Sequence, residues 1–110
     1  MNRLESRYAE LLDLRKLAGE SSEWRFEPIK FRLAKGCFYS PDFLVIDTEG
    51  QLEFHETKGH WEDDARVKIK TAANLYPWFL FVAVTEDKKA RQKGISPWKR
   101  EVIEAHAGGL

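Results

Sequence analysis

The apolar positions change period along the chain, and each change marks an element. Between Arg3 and Ala18, Leu4, Tyr8, Leu11, Leu12 and Leu17 recur near helical spacing, and Gly19 stands where a helix stops. Trp24 to Leu33 alternates instead, with Trp24, Phe26, Ile29, Phe31 and Leu33 between polar residues. That is a strand pattern, and Pro28 gives it an edge position or a break. Lys35-Gly36 reads as a turn, and Cys37 to Asp47 as a second strand, apolar at residues 43–46. Thr48-Glu49-Gly50 is a tight turn, so Gln51 to Lys58 pairs back as a hairpin and ends at Gly59. Glu62 to Leu75 is predicted as a helix with the stripe Ala65, Ile69, Ala72 and Tyr76, ended by Tyr76-Pro77. Trp78 to Val84 is a near-continuous apolar run, the signature of a strand buried on both faces. Glu86 to Gly94 reads as a charged loop. Ser96-Pro97 opens a last predicted helix that runs to about His106 and stops at Gly108-Gly109.

The order is α-β-β-β-α-β-α, an α/β fold with a mixed four-stranded sheet flanked by helices. The first three strands form an antiparallel meander, and the crossover helix returns the chain to add a fourth strand in parallel. The 110 residues suffice for a single domain, residues 1–110, with one modest core. No internal repeat is visible.

Composition narrows the class. Hydrophobic residues make up 43% and charged residues 33%, which fits a folded soluble chain. No apolar run approaches the roughly 20 residues that span a bilayer, and the first residues lack the apolar core of a secretory signal. A single cysteine, Cys37, excludes an internal disulfide and points to a reduced, cytoplasmic compartment, with Cys37 a small core residue.

The formal net charge is zero, but its distribution is uneven. Between Ser40 and Asp64 stand eight acids and one base, Lys58; from Arg66 to Lys70 and from Lys88 to Arg100 the sign reverses. Within the acidic stretch, Glu56-Thr57-Lys58 ends a hairpin strand. Strand alternation puts Glu56 and Lys58 on one face, with the Thr57 side chain pointing away. Asp42, in a Pro41-Asp42 pair at the head of the partner strand, can meet Glu56. Two carboxylates bind a hard cation through oxygen, and a neighbouring lysine steadies a developing anion. Acid-x-lysine by itself also describes an ordinary surface ion pair; the Pro-Asp pair, the hairpin and Gly59 are what lift it above that.

Other chemistries lack their residues. One cysteine and scattered histidines do not form a zinc set, no nucleophile elbow is present, and no Gly-rich phosphate loop appears. His55 faces the opposite side of its strand from Glu56, toward the core or a helix, while His60, just past Gly59, is placed to touch substrate. Arg66 and Lys70 share a helix face as candidate phosphate contacts, with Lys68 pointing elsewhere. Lys88, Lys89, Arg91 and Lys93 form a second basic patch. Trp61, Trp98 and Tyr39 are candidates to stack on unpaired bases, against the commoner role of such rings in a core.

Pro41-Asp42 followed by Glu56-Thr57-Lys58, on a helix–three strands–helix–strand order, resembles the PD-(D/E)XK nuclease superfamily. Within it, the chain is most similar to small phage-encoded endonucleases of the junction-resolving type. The resemblance covers roughly Arg3 to Val84. It implies a restriction-endonuclease-like core and Mg²⁺-dependent hydrolysis of DNA phosphodiesters in branched structures, with Mn²⁺ as a substitute ion. It implies that Asp42 and Glu56 are metal ligands, that the Thr57 carbonyl adds an oxygen, and that Lys58 activates water or stabilises the phosphorane. An acid on the first helix completes the set: Glu5 is the candidate and Glu10 the rival, which periodicity does not separate. Arg66, Lys68, Lys70, Lys88 and Lys89 are the candidate DNA contacts. A homodimer, in which two copies cut two strands, also follows from the resemblance.

Overall fold

Asn2 opens the chain by capping a helix. The structure, a computed structural model that describes residues 1–105, carries this first helix, α1, from Arg3 to Leu17. The Asn2 side chain accepts from the Glu5 N–H while the Glu5 carboxylate accepts from the Asn2 N–H, each at 2.7 Å. This reciprocal cap satisfies two of the N–H groups that a helix start leaves unpaired. The other end closes at Gly19, whose φ of 78° lets Glu20 N–H reach the Arg15 carbonyl at 2.9 Å.

The two alternating runs each divide in two. Trp24 to Leu33 becomes β1 (Glu23–Phe26) and β2 (Phe31–Ala34), and Cys37 to Asp47 becomes β3 (Cys37–Tyr39) and β4 (Phe43–Ile46). β1 pairs with β4 and β2 pairs with β3, so the four segments are one long antiparallel hairpin interrupted in both arms at the same level. Pro28 and Pro41 sit at the interruptions and cannot donate to a ladder. Glu27, just before Pro28, is at φ 45°, a left-handed conformation that turns β1 out of its course. The β2–β3 tip leaves the main sheet as a separate two-stranded ribbon.

β5 (Leu52–Lys58) pairs antiparallel with β4, and β6 (Leu80–Glu86) joins β5 in parallel after the crossover helix α2 (Asp63–Leu75). The short helix α3 (Lys88–Gln92) lies within the segment expected to be a charged loop. The chain after Ser96-Pro97 is not a helix. Trp98–Ile103 forms β7, paired antiparallel with β6 over six residue pairs. The helix-start signal was real locally, but the open edge of β6 offers a ladder that overrides it. The expected end of that helix, His106 to Gly109, lies outside the described residues. Among the described residues the main sheet thus has five strands rather than four, in the order β1-β4-β5-β6-β7.

The sheet separates two cores. On one face α1 packs Tyr8 and Leu12 onto Phe43, Val45, Val82 and Val84. On the other, α2 and the β2–β3 ribbon bury Ile69, Ala72, Phe31 and Tyr39 against Phe54 and Phe81. β6 is buried on both faces, as its unbroken apolar run predicts. Cys37 is half-buried on β3. Among the described residues, no helix is long and apolar enough to cross a membrane.

Candidate active site

The β4–β5 register decides where the acidic residues meet. Phe43 stands opposite His55, and one step beyond that pair are Asp42 and Glu56. Asp42 does not continue the strand. Its Oδ2 accepts both the backbone N–H of Thr57, at 2.8 Å, and the Thr57 hydroxyl, at 2.9 Å. The Thr57 side chain, expected to point away from the site, therefore reaches back and holds Asp42. A β-branched hydroxyl at the end of a ladder can do this because the neighbouring strand has ended and leaves its N–H open.

Glu56 is 7% exposed. One carboxylate oxygen accepts from the Tyr39 hydroxyl at 3.2 Å and the other lies 3.5 Å from Lys58 Nζ. Tyr39 arrives on the ribbon that left the sheet at Pro28 and Pro41, so the interrupted hairpin supplies one wall of the site. Tyr39 is buried, and its hydroxyl titrates far above its usual range for that reason, reinforced by the Glu56 charge. Its place is that of a hydrogen-bond donor to Glu56 rather than of an exposed stacking ring. The sequence carried no signal for this beyond the proximity of Tyr39 to Asp42.

Burial, and then the Asp42 charge, push the Glu56 carboxyl up to about 7, and Lys58 and Tyr39 offset this only in part. Burial raises Asp42 too, against the two Thr57 bonds, while the charge of Glu5 adds to the rise. Two carboxylates that repel each other in a buried site take up a proton or a cation between them. The donors are hard oxygens, which suit Mg²⁺ or Mn²⁺ rather than a soft metal.

Of the two helix acids, Glu5 is the one near enough to act on Asp42 electrostatically. Glu10 is exposed, and its charge acts on Arg7. The Glu5 carboxylate is engaged in the α1 cap, and among the described residues no three His, Cys, Asp or Glu side chains converge on one point. Asp42 and Glu56 form the pair the fold gathers, with Glu5 standing behind Asp42.

A cavity of about 250 Å³ opens beside Glu56 and Lys58, lined further by Tyr39, Ser40, Asp64 and Lys68. Lys68, read from helix spacing as pointing elsewhere, is the base that faces this cavity, and its ammonium donates to the Phe38 carbonyl at 3.4 Å. Arg66 and Lys70 turn to β7 instead: Arg66 pairs with Glu101 at 3.1 Å, and Lys70 borders a groove with Glu101 and Glu104. The face of α2 was right as a pair, but β7 takes it up. Lys88 and Lys89 line a larger cleft, described below.

The opposite face of β5 carries a buried polar chain. The Tyr8 hydroxyl meets His55 Nδ1 at 2.6 Å, and His55 Nε2 meets Glu53 at 2.9 Å. With Glu53 accepting, Nε2 carries the proton and Nδ1 accepts from Tyr8. Burial pulls the His55 pKa down and lifts that of Tyr8 to about 12, so both are neutral. Trp98 packs edge-on against Tyr8, ring centroids 5.0 Å apart, and is core rather than a stacking platform. Trp61 is half-buried with the Arg66 guanidinium 5.7 Å from its ring centre. His60 is exposed, 3.8 Å from Glu62. Arg7 ties α1 to the end of β6 through a two-pronged bond to buried Glu86, at 2.7 and 2.6 Å. Comparisons with protein-family models, curated proteins and solved structures gave no match.

Proposed function

We propose that this chain is a Mg²⁺-dependent DNA endonuclease of the PD-(D/E)XK type with a restriction-endonuclease-like core. The observation that carries the reading is the pair of half-buried Asp42 and buried Glu56, mutually repelling, with Lys58 Nζ 3.5 Å from Glu56. Asp42 and Glu56 would hold the ion, with the Thr57 carbonyl as a further oxygen and Glu5 adding negative charge behind Asp42. Bound there, Mg²⁺ supplies Lewis-acid activation of a water and of the phosphoryl oxygen. Thr57 fixes the direction of the Asp42 carboxylate, and Tyr39 that of Glu56. The Lys58 ammonium is half-exposed on the cavity side, placed to hold the attacking water and to balance charge growing on the phosphate. Lys68 offers a phosphate contact on the same cavity.

Selectivity for DNA structure over sequence follows from what the helices are doing. α1 and α2 both bury a face on the sheet, and α3 has five residues. Among the described residues, no helix stands apart from the sheet as a separate reading head for a major groove. Branched DNA, including four-way junctions of phage or prophage recombination, is the substrate class proposed, in the cytoplasm of a bacterial host. A homodimer would deliver the paired cuts, with exposed Leu14 and Leu17 of α1 as apolar material for contact.

The test is cleavage of supercoiled plasmid, a four-way junction and a single strand in Mg²⁺ and in EDTA. The purified protein is expected to cut the junction in Mg²⁺ alone, and Glu56→Ala and Lys58→Ala to fold and not cut. Undiminished cleavage by both variants would overturn the proposal.

A further inference from the structure

The cleft bordered by Lys88 and Lys89 is larger than the cavity at Glu56, about 650 Å³ against 250 Å³. It lies at the C-terminal ends of the parallel strands β5 and β6, walled by Gly59, His60, Thr85 and Lys99 as well. Ligands of α/β sheets gather at this end. Two acids also line the cleft, and both are already engaged. Glu86 is 4% exposed, gripped by Arg7 and with Arg91 at 3.9 Å. Asp87 caps α3, accepting from Lys89 and Ala90 N–H at 3.0 and 3.2 Å. The lysines are not so engaged: among the described residues Lys88, Lys89 and Lys99 form no ion pair within 4 Å. The cleft is therefore cationic at its rim and, along its wall, mostly carbon.

A cleft of that size falls in the range of about 300–1,000 Å³ that holds small ligands. It is too confined for a duplex, whose major groove alone is about 12 Å wide. We infer that this cleft seats one unpaired nucleotide of the DNA, its base and sugar against the carbon wall and its phosphate on Lys88, Lys89 and Lys99. The inference rests on the nuclease reading for the identity of the polymer, and on the cleft alone for the unpaired nucleotide. It narrows the substrate to DNA with an unwound strand beside the cut.

The experiment measures binding by fluorescence anisotropy in EDTA, so that no cleavage occurs. Two probes are used, a blunt 16-bp duplex and the same duplex with a three-nucleotide overhang. The wild type is expected to bind the overhang at least tenfold more tightly. Lys88→Ala/Lys89→Ala/Lys99→Ala, all exposed positions, is expected to bring the overhang down to the blunt level, with a smaller loss on the blunt duplex. The salt slope for the overhang should fall by about 0.7, the share of one phosphate on a single strand. Equal affinity of the wild type for both probes, or an equal loss on both in the triple variant, overturns the subsite. An overhang preference without Mg²⁺-dependent cleavage of any DNA would remove the nuclease reading and leave the subsite standing.

Discussion

The hydroxyl and the backbone N–H of Thr57 converge on one oxygen of Asp42, at 2.9 and 2.8 Å. The residue between the acid and the lysine is thus the one that aims the other acid. Thr57→Val keeps the shape and the N–H bond and removes one donor to a half-buried carboxylate. The loss of stability should be about 1–2 kcal/mol. The concentration of Mg²⁺ giving half-maximal plasmid nicking should rise about tenfold, with the rate at saturating metal nearly kept. A variant with unaltered metal dependence would show that Asp42 needs no such guide.

Glu56 should cost the metal-free fold stability. Its folded carboxyl titrates at about 7, against 4.5 as an ordinary carboxyl. A raised folded pKa contributes stability that is fully present below 4.5 and lost as pH rises through 7. Glu56→Gln removes this titration. In EDTA it is expected to be more stable than the wild type at pH 8, by about 1–3 kcal/mol, and no more stable at pH 4. Urea unfolding at the two pH values checks this, and Mg²⁺ should close the gap by stabilising only the wild type.

Arg7 and Glu86 join the first helix to the end of the sixth strand, on which it packs. The Glu86 carboxyl is held below its usual range by the Arg7 hydrogen bonds. A depressed folded pKa gives stability above the ordinary value of 4.5 that is lost as pH falls through the folded value. Arg7→Ala leaves Glu86 buried with only Arg91 at 3.9 Å. Arg7 is about a third exposed, so a loss of about 1–3 kcal/mol at pH 7 is expected rather than the full cost of a stranded buried charge. The gap from wild type should narrow below pH 4.5, as read by denaturant midpoints.

Tyr8→Phe tests the buried chain under α1. It leaves His55 Nδ1 with no donor in a site closed to water, at a cost of about 1–3 kcal/mol. The thermal midpoint should drop by several degrees. Cleavage per folded molecule should persist at 20 °C, because Tyr8 lies on the face of β5 away from Glu56.

The hairpin pattern and the facing of Glu56, Lys58 and His55 were legible because strand alternation is a local rule. So was the glycine stop of α1, while the reciprocal Asn2–Glu5 cap at its start was not. β7 was not: Ser96-Pro97 followed by Lys99, Arg100 and Glu101 looks helical when read alone. Only the unpaired edge of β6 makes it a strand, and that edge is a tertiary fact. An edge strand rich in charge also blocks further pairing. The roles of Tyr39 and Lys68 escaped for a similar reason. Tyr39 depends on where the ribbon goes after two proline breaks, and Lys68 on which side of α2 that ribbon lies.

The parts of the site differ in how far apart they stand along the chain. Asp42 and Thr57 are 15 residues apart, joined by a hairpin, whereas Arg7 and Glu86 are 79 apart. Short loops close early and long ones late, since closure entropy grows with length. The carboxylate pair is therefore expected to assemble with the folding nucleus, before α1 docks. Mg²⁺ added during refolding should then raise the folding rate more than it lowers the unfolding rate. The same ion proposed to cut DNA would act first on its own protein, as an aid to the order in which the chain closes.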